Sequence, residues 1–152
     1  MKRPCLLLLL LMLILVGAGA CKSDAPGPDP STLPTMSSKL RLRIGSDTFT
    51  ATLFDNPTTA AFVARLPLTV SMNELNSNEK YYDLTAGLPT NATNPGTIQT
   101  GDLLLYGTNT LVLFYQSFAT SYRYTRMGRV DNPAGLAAAL GRGSATVTFE
   151  VQ

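Results

Sequence analysis

Few residues of this chain have side chains suited to catalysis, and most of the remaining chemistry belongs to tyrosines. Histidine and tryptophan are absent, and the two cysteines, Cys5 and Cys21, both lie near the N-terminus. The chain therefore lacks the common imidazole base and the most frequent protein metal ligand. We expect no catalytic residue, no metal site and no cofactor in the folded part of the chain.

Ligand binding is the chemistry that the aromatic residues favour. A tyrosine offers a flat apolar ring with a hydroxyl at its tip, which suits the wall of a groove for a peptide or small molecule. The alternative is that about half of these rings belong to the core or to a strand surface. The candidate binding residues are five tyrosines and one arginine: Tyr81, Tyr106, Tyr115, Tyr122, Tyr124 and Arg126.

The charge balance argues against a nucleic-acid partner. The formal net charge of +2 comes from Lys2 and Arg3, because the rest of the chain balances ten basic residues against ten acidic ones. A neutral domain lacks the excess of Lys and Arg that would neutralise phosphates. Glu79, Lys80 and Asp102 show no spacing typical of acid–base catalysis, and we expect them to be solvated surface charges.

The first twenty residues have the pattern of a secretory signal peptide. Lys2 and Arg3 supply a positive start, residues 6–16 are an unbroken apolar segment, and residues 17–20 are small, as a signal peptidase requires. A permanent transmembrane helix is the alternative, but the apolar stretch is shorter than the roughly 20 residues that span a bilayer core. The pattern predicts an exported chain that loses residues 1–20.

The four residues that end at Cys21 resemble the bacterial lipobox, except that Ala18 stands where that motif usually has Leu. The resemblance implies that the Cys21 thiol carries diacylglyceryl lipid, with palmitate among its acyl chains, and becomes the mature N-terminus. Several acyl chains anchor a protein stably in a membrane. Lys22 replaces the Asp that favours inner-membrane retention, so we expect the outer membrane, facing the periplasm, if the organism is Gram-negative.

Residues 21–38 are predicted to be a tether. They are rich in Pro, Gly, Ser and Asp and contain almost no large apolar side chain. Such a segment buries too little surface to fold, and its prolines favour an extended conformation. The folding domain is therefore residues 39–152, a length typical of a single domain.

Hydrophobic periodicity predicts that strands dominate residues 39–152. Alternation at 39–44 and 144–151 predicts strands with one apolar face, and residues 48–54 complete a hairpin. Further strands are predicted at 68–72, 103–106, 111–115 and 124–130. Asn56 and Pro57 start a helix to about residue 66, and residues 136–140 form a second helix that ends at Gly141. This order favours a closed antiparallel barrel, because closure removes exposed strand edges.

Several segments resemble cyclophilins. The LFD of residues 53–55, followed by Pro57 and Phe62, resembles the strand and helix that open a cyclophilin, and the MGRV of residues 127–130 resembles a later turn. The segments SMNELNSNEKYYDL, LPTNATNPGTI and GDLLLYG are similar to a small bacterial cyclophilin-like family. The resemblance implies a mainly β, eight-stranded antiparallel barrel with two short capping helices and a groove on one outer face.

The same resemblance argues against prolyl isomerase activity. Cyclophilins place an Arg beside an apolar proline pocket that includes His, whereas the corresponding residues 68–74 read LTVSMNE and the histidine position falls near Tyr124. We predict a membrane-anchored lipoprotein whose barrel binds a small ligand or peptide segment without catalysis. A weak peptidyl-prolyl isomerase or chaperone acting on exported proteins is the alternative, and a purely structural envelope component is a third reading.

Lipidation at Cys21 has a direct test. Metabolic labelling with a clickable fatty acid should tag the wild-type chain and leave Cys21→Ala unlabelled, because the thiol is the acceptor in the lipobox reaction. The variant should also accumulate as the uncleaved precursor. Equal labelling of the two proteins would contradict the lipoprotein prediction.

Overall fold

The computed structural model describes residues 39–152. The predicted signal peptide of residues 1–20, the lipidated Cys21 and the tether of residues 21–38 lie outside the described residues. Within the described region, neither helix has the length and hydropathy needed to cross a membrane.

Eight strands of the described region close into one antiparallel barrel. The elements in chain order are β1 (Lys39–Ile44), β2 (Asp47–Leu53), α1 (Pro57–Val63), β3 (Leu68–Leu75), β4 (Glu79–Asp83), β5 (Thr97–Ile98), β6 (Asp102–Tyr106), β7 (Thr110–Phe114), β8 (Phe118–Ala119), β9 (Tyr124–Val130), α2 (Leu136–Leu140) and β10 (Ala145–Val151). The order around the barrel is β1-β10-β3-β4-β7-β6-β9-β2, and β1 pairs with β2 to close it. β5 and β8 form a separate two-stranded sheet. The predicted barrel with two helices is confirmed.

Alternation along the chain determines the first hairpin. Leu40, Leu42 and Ile44 are buried in the barrel, and the basic residues between them lie on the outer face. Gly45 turns the chain at a φ of +58°, a conformation that side chains with a Cβ rarely adopt. β2 and β10 match the predicted strands to within one residue at each end. β4, β5 and β8 were not predicted.

Helix α1 packs against the barrel interior through Phe62. Asn56 Oδ1 accepts a hydrogen bond from the Thr59 amide at 2.9 Å, and proline occupies the first helical turn. Phe62 is fully buried, and its ring meets that of Phe149 edge to face with centroids 5.7 Å apart. The helix ends at Val63 rather than near residue 66. The amides of Arg65 and Leu66 donate to carbonyls three residues earlier, which makes tighter turns than an α-helix.

One side of the barrel is covered by a second apolar layer on its outer face. Ile98, Leu104, Val112, Phe114 and Tyr124 form a buried cluster that is separate from the main core inside the barrel. The small β5–β8 sheet supplies part of this layer. Strands β6 and β7 are consequently buried on both faces, with four buried residues out of five in each strand.

Three charged residues that were expected to be solvated are buried, so that prediction was wrong. Glu79 is 8% exposed, Lys80 is 0% exposed and Asp102 is 4% exposed. Lys80 Nζ donates to Glu74 and to the carbonyl oxygens of residues 141 and 143, which ties β4 to the loop after α2. Asp102 accepts a hydrogen bond from Arg129 Nε at 2.6 Å. These residues are buried because strands that are distant in sequence pair around them. The local sequence does not predict that pairing.

The buried Lys80 should contribute strongly to stability. We expect Lys80→Met to lower the free energy of unfolding by about 3 kcal/mol, because it removes the cation that pairs with the Glu74 carboxylate and the donor to two carbonyls. Urea unfolding measures the change. Arg43→Met is the control: the Arg43 side chain is 59% exposed and lies 3.7 Å from Glu150, so its loss should cost less than about 1 kcal/mol. Equal losses would contradict the structural role of Lys80.

Candidate functional site

A groove of about 410 Å³ lies on the outer face of the barrel across β4, β7, β6 and the region before β9. Alternation along β4 directs Glu79, Tyr81 and Asp83 to this face, while Lys80 and Tyr82 face the interior. β7 contributes Thr110 and Val112, which stand opposite Asp83 and Tyr81 in the strand register. Four strands of a closed barrel therefore form the groove floor.

Aromatic rings form one wall of the groove and pass from buried to exposed. Tyr124 is 6% exposed and meets Phe114 edge to face, with centroids 5.6 Å apart. Tyr106 contacts Tyr124 at 5.6 Å and Tyr122 at 6.2 Å between ring centroids. Tyr106 and Tyr122 are 45% and 63% exposed. The buried rings support the exposed pair, which is the part that a ligand would contact.

The structure brings together four of the six candidate binding residues. Tyr81, Tyr106, Tyr122 and Tyr124 all line the groove. Tyr115 does not, because it follows the outward-facing Phe114 by one residue and therefore lies on the opposite face. Its hydroxyl donates to the Glu74 carboxylate at 2.8 Å. Tyr115 is therefore a buried structural residue rather than part of the groove.

Arg126 also lies apart from the tyrosines. A β-bulge pairs Leu104 with Arg126, and the guanidinium sits 5.2 Å from the ring centroid of Phe54. There it lines a shallower pocket with the start of α1, including Asn56 and Pro57. The expectation of one site built from Arg126 and adjacent phenols does not match this placement, because the bulge and the Phe54 ring direct the arginine elsewhere.

Glu79 is a buried carboxyl group that lines the groove and was not among the candidates. It makes no hydrogen bond through its side chain to any residue of the described chain. Burial raises the pKa of Glu79 to about 7, and the negative charge of Glu74 adds to the effect. The neighbouring Asn78 Oδ1 is also buried without a hydrogen-bond partner in the region that the structure describes. One end of the groove thus carries acceptors that the protein leaves unpaired.

The hydroxyl of Tyr124 in the groove is neutral at physiological pH, because its pKa is raised. Burial raises the pKa of Tyr124 to about 12, and the nearby Glu79 carboxyl contributes. A neutral phenol donates or accepts hydrogen bonds and does not serve as a general base near pH 7. Of the described residues, those that line the groove include acidic Glu79 and Asp83 but neither lysine nor arginine. This composition suits binding better than proton transfer between paired groups.

A sequence signal for the missed residues existed at the two-residue spacing of β4. Glu79, Tyr81 and Asp83 occupy alternate positions, which places all three on one face of any extended strand. If residues 79–83 are read as a strand, Glu79 and Asp83 are predicted to lie on the same face as Tyr81, which is a candidate binding residue. Asn78 and Phe118 have no such signal, because their places depend on loop paths.

Comparison with known proteins agrees with the observed architecture. A family model described as the cyclophilin-like family matches residues 42–150. The solution structure of a hypothetical protein from Archaeoglobus fulgidus is similar at a TM-score of 0.53 and 19% sequence identity, covering 77% of this chain and 96% of that one. Identity this low supports the fold alone. No curated protein matches the chain significantly.

The buried Glu79 should make stability depend on pH. Its pKa is about 7 in the folded state and 4.5 in an unperturbed carboxyl group, so the folded state holds the proton more tightly. Stability is therefore lost as pH rises from about 4.5 through 7, by on the order of 2–3 kcal/mol. Glu79→Gln, which cannot ionise, should gain stability over the wild type by this amount between pH 4.5 and pH 8 in urea unfolding.

The contributions of other titrating groups are the same in the wild type and in Glu79→Gln, so they cancel from the difference in stability. Burial opposes ionisation of Glu74, but hydrogen bonds from Lys80 and Tyr115 outweigh it and lower the Glu74 pKa. A hydrogen bond from Lys39, with one from Thr52, lowers the pKa of Asp131. Stability from both carboxylates is lost on acidification in wild type and variant alike. Parallel pH profiles of the two proteins would show that Glu79 is not a buried titrating group.

Proposed function

The chain belongs to the cyclophilin-like family, and from that premise we propose that it is a lipid-anchored envelope protein whose barrel binds a small molecule or peptide segment without catalysis. The observation that carries the binding proposal is the groove that gathers four of the six tyrosines of the chain. Its volume of about 410 Å³ falls in the range common for small-molecule sites, roughly 300–1,000 Å³.

The exposure of the outer rings supports a binding role. Tyr106 and Tyr122 contact each other and keep about half of their surface accessible. Neighbouring exposed aromatic side chains form a patch that is typical of interaction sites on soluble domains. Tyrosine also supplies a large rigid contact area at a low cost in side-chain entropy. A flat ligand or peptide group laid on these rings would bury apolar surface and find hydroxyl groups at its edge.

The barrel framework supports the proposal because it limits the cost of binding. The groove residues of β4, β6 and β7 lie on strands that each pair with a neighbouring strand on both sides. Tyr124 is packed between Phe114 and Tyr106. A site on rigid elements needs little ordering when a ligand arrives, so more of the contact energy appears as affinity.

The charge of the groove favours binding over isomerisation. Rotation about an X-Pro bond has a barrier of about 20 kcal/mol, and a catalyst must weaken the conjugation of the amide or stabilise its twisted form. The cyclophilin resemblance implies that an arginine does this. Glu79 and Asp83 give this groove acidic rather than basic polar groups, and Arg126 lies in the separate pocket beside α1.

The envelope location rests on the sequence signals before residue 39. The positive start, the apolar segment and the small residues before Cys21 support export and lipidation. The Pro-rich residues 21–38 would then hold the barrel away from the membrane surface. A ligand in the periplasm, or an exported peptide, would reach the groove in this arrangement.

Substitution of the exposed tyrosines tests the binding proposal. In NMR titrations with small aromatic compounds and proline-containing peptides, shifts should map to the groove. Tyr106→Ala and Tyr122→Ala should each weaken binding about fivefold or more, since each removes roughly 1 kcal/mol of contact. Unfolding free energies should change by less than about 1 kcal/mol, because both side chains are largely exposed.

Tyr115→Phe is the matched control, since it alters a tyrosine outside the groove that bonds to Glu74. It should leave binding unchanged. Shifts that map away from Tyr106 and Tyr122 would refute the groove as the binding site. A protease-coupled isomerase assay of the same protein separates binding from weak prolyl isomerase activity, and measurable turnover would favour the isomerase alternative.

A further inference from the structure

The polar end of the groove has an unusual set of hydrogen-bond acceptors. Glu79 is more than nine-tenths buried and has no hydrogen bond from its carboxyl oxygens to the described residues. Asn78, which lines the same end, holds a buried Oδ1 that also lacks a partner there. Buried acceptors are costly unless they are satisfied. Asn78 Oδ1 has almost no accessible surface, so a ligand with N–H donors would meet the Glu79 carboxyl group, which lines the groove.

The electrostatics of the groove favour a positively charged ligand. Glu79 and Asp83 lie on the same face of β4, about 13 Å apart for an extended strand. Lys80, the basic residue between them, faces the interior and is paired with Glu74. Thr110 Oγ1 donates a hydrogen bond to Asp83 Oδ1 at 2.6 Å. Among the described residues, no basic side chain lines the groove to offset these carboxyl groups.

The aromatic wall provides a second attraction for a cation. Tyr81 lies between Glu79 and Asp83 on the groove face, and Tyr106, Tyr122 and Tyr124 stand across from it. The faces of such rings attract cations, and a guanidinium also stacks on them because it is planar. Its five N–H donors in a fixed fork match a carboxylate better than a compact ammonium does.

We propose that the groove selects an organic cation with a planar donor group, a guanidinium, held between the tyrosine rings and the carboxyl group of Glu79. The inference rests on the proposed binding function of the groove and specifies its ligand class. The guanidinium belongs to a free small molecule or to an arginine side chain of a peptide. The two sources share one chemistry and are separated by the probes below.

Binding of a cation should depend on pH through Glu79. The titratable groups that interact electrostatically with its carboxyl are Glu74 from β3, which is paired with Lys80, Tyr115 after β7, and Tyr124 from β9. Phe114 stands opposite it in β7 and carries no charge. Because the Glu79 pKa is about 7 without ligand, a cation binds the ionised form that predominates above this pH. Affinity should therefore rise between pH 5.5 and pH 8.

The test compares N-acetyl-arginine methylamide with its citrulline counterpart, in which a neutral urea replaces the guanidinium. Tyrosine fluorescence of the full chain purified in detergent reports binding directly, because the chain has no tryptophan and four of its six tyrosines line the groove. At pH 8 the arginine compound should bind at least about tenfold more tightly than the citrulline compound. The preference should largely disappear at pH 5.5.

Variants assign the selectivity to the groove. Glu79→Gln should abolish both the arginine preference and its pH dependence, and it should fold, because it removes a buried charge. Glu150→Gln is the matched control, since it removes one carboxylate from β10, where Glu150 lies 3.7 Å from Arg41. It should keep the preference. Butylguanidinium and acetyl-Ala-Arg-Ala-amide then distinguish a free cation from a peptide side chain, and the lysine analogue tests guanidinium against ammonium.

The outcomes separate the two proposals. Equal affinity for the arginine and citrulline compounds, with both lost in Tyr122→Ala, would overturn cation selection and leave the binding function standing. An arginine preference that survives both Glu79→Gln and Tyr122→Ala would place the site elsewhere and overturn both proposals. Binding by neither compound would also overturn the inference, and the NMR mapping would then decide the binding function on its own.

Discussion

The pairing of β4 with β3 and β7 is the constraint on which the rest of this structure depends. It determines which alternate residues of β4 enter the barrel and which line the groove. The Lys80 side chain points into the barrel, where it donates hydrogen bonds to Glu74 and to the loop after α2. The side chains of Glu79 and Tyr81 point outward, into the groove. A shift of one residue in register would exchange the two sets, bringing the lysine into the groove and two more acidic groups into the core.

The second apolar layer explains how a small barrel builds a site on its outer surface. Along β1 the outer residues are basic and solvated, so that face offers no shaped surface. Along β6 and β7 the outer residues Leu104, Val112 and Phe114 are apolar and are covered by the β5–β8 sheet and by aromatic rings. The cover stops at Tyr106 and Tyr122. The groove lies at the edge of the buried aromatic cluster, next to the exposed rings of Tyr106 and Tyr122. The buried rings give rigid support and the exposed rings are accessible to a ligand.

Membership of the cyclophilin-like family accounts for the architecture of this chain but not for its chemistry. The family match covers residues 42–150, which include both helices and most of the barrel. The chemistry of the groove comes from side chains on that framework, and one fold commonly carries several functions. Here those side chains are phenols and carboxyl groups. They create a negative aromatic surface in which a buried acceptor costs folding energy unless a ligand supplies a donor.

The sequence alone determined the features that depend on neighbouring residues. Absence of histidine and tryptophan excluded the common catalytic sets, alternation identified β1, β2 and β10, and the Asn-Pro pair located the start of α1. All four tyrosines of the groove are also predicted from their chemistry. These inferences succeed because side-chain type, strand period and helix capping act within a few residues along the chain.

Only the tertiary structure decided which of those residues meet. It separated Tyr115 from Tyr124, directed Arg126 toward Phe54, and buried Glu79 and Lys80 on opposite faces of a strand that periodicity missed. Periodicity does not identify β4, because polar and aromatic residues occur on both of its faces without the usual apolar–polar alternation. Whether a charged side chain is buried depends on strands that pair across long stretches of sequence. The residues next to it in the chain therefore do not predict its burial.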